Sequence, residues 1–103
     1  MRLQNAFVGE DVPITITYED DAGAAVDPDD TATEPTVTVV DVPEHDAESE
    51  TDVVSDQLMN QNGTGDFEYV WDTSGLDAGE YRIEVTADFS TETKIVKQTI
   101  LLE

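Results

Sequence analysis

Residues 67–85, FEYVWDTSGLDAGEYRIEV, contain two alternating stretches joined by a Gly-containing corner that ends in a tyrosine. Phe67, Tyr69 and Trp71 share one strand face, and Tyr81, Ile83 and Val85 share another. This period of two marks strands with one face buried. The chain reads as all-β, with no helix of ordinary length and no internal repeat.

Seven strands are expected at roughly the spacing of a sandwich. Leu3 to Val8 is a short edge or lead-in strand. Val12 to Tyr18 turns Val12, Ile14, Ile16 and Tyr18 inward and Thr15 and Thr17 outward, and Pro13 suggests an edge position. Thr36 to Val42 follows a long acidic loop, Glu19 to Glu34. Asp52 to Met59 sets Val53, Ser55, Gln57 and Met59 against Val54, Asp56 and Leu58. Asp66 to Asp72, Glu80 to Asp88 and Lys94 to Leu102 complete the set. The turns expected between them are Pro43 to Asp46, Asn60 to Gly65 with Asn-Gly supplying positive φ, and Phe89 to Thr93.

From Leu76 to Tyr81 the chain has the spacing of the tyrosine corner of immunoglobulin-like sandwiches, in which the phenol bonds backbone a few residues upstream. The expected fold is a seven-stranded immunoglobulin-like antiparallel β-sandwich, one domain over residues 1–103. Trp71, Leu76, Gly79 and Tyr81 are its structural markers, with the Tyr81 hydroxyl on backbone near Leu76 or Asp77.

The charge balance is the second constraint. Against 25 Asp and Glu stand 4 Lys and Arg, a net charge of −21. Disorder is the usual consequence of such a charge, but regular apolar alternation with three Phe, three Tyr and one Trp favours a folded acidic domain. The acids are spread over strands and loops. At ~1 M salt the Debye length is about 3 Å, so the self-repulsion is largely screened there and acts against the compact state in dilute buffer. A halophilic source is the preferred reading, with solvent cations at high salt as its counterions, and the alternative is an acidic mesophile domain that repels nucleic acid and anionic lipid. Four scattered cations form no counterion-releasing patch, which argues against direct nucleic-acid binding. With no cysteine, neither disulfides nor thiolate metal sites are available. The polar start Met1-Arg2-Leu3-Gln4-Asn5 reads as neither signal peptide nor membrane span, and the chain reads as complete and retained in the cell that makes it.

Few residues point to chemistry. His45 is the only histidine and has no identifiable serine or cysteine partner, so nucleophilic catalysis has no support. Asp20, Asp21, Asp27, Asp29 and Asp30 supply enough oxygens for calcium, but their spacing matches no EF-hand loop, and a solvated acidic loop is the preferred reading. Asn62-Gly63-Thr64 fits the N-glycosylation pattern, though the hairpin turn explains Asn-Gly more simply. The last strand has two apolar faces: Val96, Ile100 and Leu102 on one, Ile95 and Leu101 with Lys97 on the other. Either its terminal residues cover the end of the sandwich, or Ile95 and Leu101 contact another subunit. Pro13, Ile95, Lys97 and Leu101 are the candidate interface residues.

The run VGEDVPITITYEDDAGAAVDP, then TVTVVDVP, NGTGDF and YVWDTSGLDAGEYRIEV, resembles the small immunoglobulin-like proteins encoded among the structural genes of tailed viruses. Gly9-Glu10, Tyr69 and Trp71 leading into Asp72 to Leu76, and Gly79-x-Tyr81 are its most specific pieces. One departure is Asp21-Ala22-Gly23-Ala24 where an Asp-Gly or Asn-Gly turn is usual. The resemblance implies a non-enzymatic virion protein of a haloarchaeal tailed virus, a capsid decoration or a neck or tail component. It would need no cofactor or metal, would be assembled in the host cytoplasm, and would join other virion proteins in an oligomeric assembly. Similar segments occur in tandem domains of bacterial and archaeal surface proteins, so the alternative is an adhesion module of a halophile cell-surface or secreted protein. An acidic mimic of nucleic acid would account for the charge but not for its even spread.

Overall fold

The computed structural model describes residues 5–42, 50–90 and 92–103. Its strands are β1 (Asp11–Thr17), β2 (Thr36–Val42), β3 (Thr51–Leu58), β4 (Asn60–Gly63), β5 (Asp66–Asp72), β6 (Gly79–Phe89) and β7 (Glu92–Leu102). They form two antiparallel sheets, ordered β1-β5-β4 and β3-β2-β6-β7, and there is no helix among the described residues. Strict alternation puts Val12, Ile14 and Ile16 of β1 into the same buried cluster as Phe67 and Trp71 of β5, Val37 and Val39 of β2, and Ile83 and Val85 of β6. Both sheets feed one core, an arrangement compatible with a β-sandwich.

The two sheets are closed differently at their ends. At one end the Trp71 and Tyr81 rings meet edge to face at 5.4 Å, and the Tyr81 hydroxyl donates to Asp77 O at 2.7 Å. At the other, Tyr18 lies between Phe67 and Phe89, with ring centroids 6.1 and 4.9 Å away.

Seven strands are present, but not the seven expected. Of the Leu3–Val8 strand, residues 3 and 4 lie outside the described residues, and the remainder makes only an isolated parallel bridge, Ala6 to Leu102. A turn cuts it short, because Gly9 takes φ 95° and Glu10 N donates back to Phe7 O. The expected turn at Asn60–Gly65 is instead strand β4 followed by a two-residue turn, Thr64-Gly65, closed by the Gly63–Asp66 pair. The positive φ belongs to Gly65, at 69°, and not to Gly63. A Cβ on Gly65 would stand 2.6 Å from Tyr18 O and 2.9 Å from Val26 O, so the close approach of three backbone segments selects glycine there.

Two smaller differences concern β3 and the last hairpin. The simple alternation expected for β3 is broken by register shifts against Val37, Val39 and Val40, with Asp56 at φ 45°. In consequence the neighbours Val53 and Val54 both pack against the core. Pairing of β6 with β7 runs on to Phe89 and Glu92, so the turn expected over Phe89–Thr93 is tighter. The expected turn at Pro43–Asp46, with His45, lies outside the described residues.

Candidate functional site

Four strands lie at sheet edges, β1 and β4 in one sheet and β3 and β7 in the other. An edge exposes backbone N–H and C=O groups that another strand can pair with, and proteins blunt such edges with proline, bulges, charge or shortness. Three of the four carry proline, a bulge or shortness, whereas β7 carries charge alone, at Glu92, Lys94 and Lys97. In β1, Pro13 stands opposite Val70 and offers no N–H. The β3 edge is bulged, with Thr38 Oγ1 accepting from Asp56 N at 3.1 Å. The β4 edge has four residues, with a register shift between Gln61 and Gly63.

The β7 edge is long and its ladder with β6 is unbroken from Gly79–Leu102 to Phe89–Glu92. Its open groups follow from parity. Ala6 N donates to Leu101 O, and Glu103 N donates to Ala6 O, so Leu101 and Glu103 direct backbone away from β6. In an antiparallel ladder that direction alternates, so Thr99, Lys97, Ile95 and Thr93 also present N–H and C=O outward. The segment Ala6–Val8 covers the Leu101–Glu103 end; among the described residues no strand pairs with the stretch from Thr93 to Thr99, where the one backbone group taken up is Thr99 O, which accepts from Gln98 Nε2 at 3.3 Å.

The same parity puts these side chains on the outer face. Ile95 is 55% exposed and Leu101 41%, while Ile100 and Leu102 on the inner face are buried. Phe7, 63% exposed, lies on the segment that pairs with the Leu101 end. Lys97 Nζ lies 3.8 Å from Glu84 Oε1. Glu84 also takes the Arg82 Nε hydrogen bond at 2.9 Å, and Arg82 grips Glu50 through both terminal nitrogens at 3.1 Å. The Arg82 hydrogen bonds hold the Glu50 carboxyl below its ordinary range and push the guanidinium pKa up. Of the candidate interface residues, Ile95, Lys97 and Leu101 thus share one face of β7, and Pro13 lies in the other sheet.

Of the five loop aspartates, Asp20, Asp21, Asp27 and Asp29 line one cavity, but no group of three or more His, Cys, Asp or Glu side chains among the described residues is placed to hold a metal ion. Most of the five accept backbone N–H bonds. Asp20 Oδ1 takes Ala22 N and Ala24 N, and Asp30 Oδ1 takes Ala32 N. Asp27 Oδ1 takes Gly65 N at 2.7 Å and Gln61 Nε2 at 2.9 Å, while Asp29 Oδ1 takes Ser90 N at 2.7 Å. The loop therefore straps the turn before β5 in one sheet to the turn after β6 in the other. Beside it lies that cavity, of about 260 Å³, lined by Glu19, Asp20, Asp21, Phe89, Glu92 and Lys94 among others. Lys94 Nζ sits 5.0 Å over the Phe89 ring there.

Several functional or structural roles had no sequence signature. Thr73 is fully buried: its Oγ1 accepts from Gly9 N at 2.9 Å and donates to Glu10 O at 2.6 Å. It joins Gly9-Glu10 to the turn after β5, contacts more than sixty residues apart in sequence with no local spacing to reveal them. The Tyr18 hydroxyl is buried and without a hydrogen-bond partner among the described residues, and burial, with the charge of Glu34, pushes its pKa up to about 12. Searches of family models, curated proteins and solved structures find no match for this chain.

Proposed function

We propose that this chain is a non-enzymatic binding module that docks on a larger assembly through the free edge and outer face of β7. The observation that supports it most is the coincidence, on residues 93–99, of outward backbone groups that no described strand pairs with and an exposed apolar residue, Ile95, continued by Leu101. Strand addition there would supply backbone hydrogen bonds and apolar contact together. High salt screens long-range attraction between charges but leaves both of these in force, which suits a chain with a net charge of −21. The resemblance described above points to the virion of a halophilic tailed virus as that assembly, with the chain as a capsid decoration or a neck or tail component.

The test replaces Ile95 and Leu101 with Thr together. Docking through β7 predicts a folded monomer that no longer joins its assembly in molar salt. Loss of the fold would instead put these side chains in the core, and normal assembly would remove β7 as the docking element.

A further inference from the structure

The turn chemistry that would account for Asn62-Gly63 is not used by the fold. The tight turn is Thr64-Gly65, Gly63 has no positive φ, and the residue whose conformation requires glycine is Gly65. Asn62 is instead the extra residue of the β4 bulge, between the Gln61–Phe67 and Gly63–Asp66 pairs. It is exposed, as is Thr64, and its side chain makes no hydrogen bond among the described residues. A side-chain amide bonded to a neighbour would be withheld from chemistry; this one has no partner among the described residues and stands at the sheet edge, two residues before an exposed threonine hydroxyl.

We infer that Asn62 is an acceptor site for an N-linked glycan, with Asn62-Gly63-Thr64 as its recognition triplet. The donor is an oligosaccharide carried on a lipid phosphate. Asn62 Nδ2 attacks C1 of the first sugar, the N–C1 bond forms and the C1–O bond to phosphate breaks, its electron pair leaving with the phosphate. Nδ2 loses one proton to a base of the transferase, and nothing is oxidised or reduced. A sugar at this position would cover the β4 edge of the three-stranded sheet and leave the β7 edge of the other sheet accessible. The inference does not rest on the docking role of β7, and it departs from the cytoplasmic assembly that the resemblance implies, because this modification belongs to secreted proteins.

Intact-mass measurement on the chain isolated from the cells or particles that make it tests the inference. The expected result is a mass above that of the polypeptide by a whole number of sugar residues. That excess should vanish in Asn62→Gln and in Thr64→Ala, persist in Thr64→Ser, and leave the unfolding midpoint of the unglycosylated variants close to one another. A mass equal to the bare polypeptide, or to its deamidated form, overturns the inference, as does an excess that survives Asn62→Gln.

Discussion

The β1 and β7 strands are the two longer edges of the separate sheets that are free of bulges, and their backbones differ at one kind of position. In both, alternate residues turn N–H and C=O outward. In β1 that set is Asp11, Pro13, Thr15 and Thr17, and the proline removes a donor from its middle. In β7 it is Thr93, Ile95, Lys97 and Thr99, with every donor in place. Both strands contribute to the shared cluster through their other residues, β1 through Val12, Ile14 and Ile16 and β7 through Ile100 and Leu102 with Val96 partly buried. Availability for pairing is thus decided by outward positions that contribute little to folding, so docking and stability can be altered separately.

The largest effect should come from crossing between the two faces of β7. Ile100→Ala removes a side chain that is 1% exposed and should cost about 2–5 kcal/mol, whereas Ile95→Ala should stay within about 1 kcal/mol. Denaturant midpoints compare them directly, and equal losses would mean that Ile95 belongs to the core.

Proline scanning separates the two backbone directions. Gln98, paired with Ile83, directs its N–H to β6, so Gln98→Pro should lose about 3 kcal/mol, while Lys97→Pro should cost within about 1 kcal/mol. Lys97→Pro should nevertheless abolish assembly. If the two prolines destabilise equally, the assignment of outward groups along β7 is wrong.

The opposite change can be made in β1. Pro13→Val restores the missing donor at an edge and should leave the unfolding midpoint within ~0.5 kcal/mol of the parent. It should increase self-association in molar salt, measured by sedimentation. A variant that stays as monomeric as its parent would show that the proline is not what keeps β1 from pairing.

The smallest expected effect concerns the β3 edge and pH. Arg82 holds the Glu50 carboxyl below its ordinary range, so the folded value is depressed relative to the unfolded one. Its stabilising contribution is then present at neutral pH and is lost as pH falls through the depressed value. Protection of the backbone amides at the start of β3, taken relative to the intrinsic exchange rate at each pH, should fall on acidification before that of β7 does, and Glu50→Gln should abolish that difference.

The regular part of the fold was legible in the sequence because its signals are local. Strands Thr36–Val42 and Asp66–Asp72 are found with the boundaries read from alternation alone, and the Gly79-x-Tyr81 spacing led to the Tyr81–Asp77 hydrogen bond. The loop end was not legible. Asp27, Asp29 and Thr73 act on backbone groups 38, 61 and 63 residues away, and an acidic loop looks the same whether its carboxylates are solvated or accepting N–H bonds. The β4 strand was missed for a related reason: Asn-Gly is a turn signal by itself, and only the crowding of Tyr18 O and Val26 O around Gly65 shifts the turn two residues along. For the candidate site, the exposed pattern of Ile95 and Leu101 could be read in advance, but the direction of the β7 backbone depended on its pairing with Ala6.

Residue-resolved hydrogen exchange on the free chain and on the assembled chain in molar salt tests the docking role of β7 most directly. In the free chain the amides of Ile95, Lys97 and Thr99 should exchange rapidly and those of Val96, Gln98 and Ile100 slowly, in strict alternation along β7. On assembly the first three should become protected while the amides of Thr15 and Thr17 on the β1 edge stay unchanged. Protection gained at β1 with none at β7 would contradict the account.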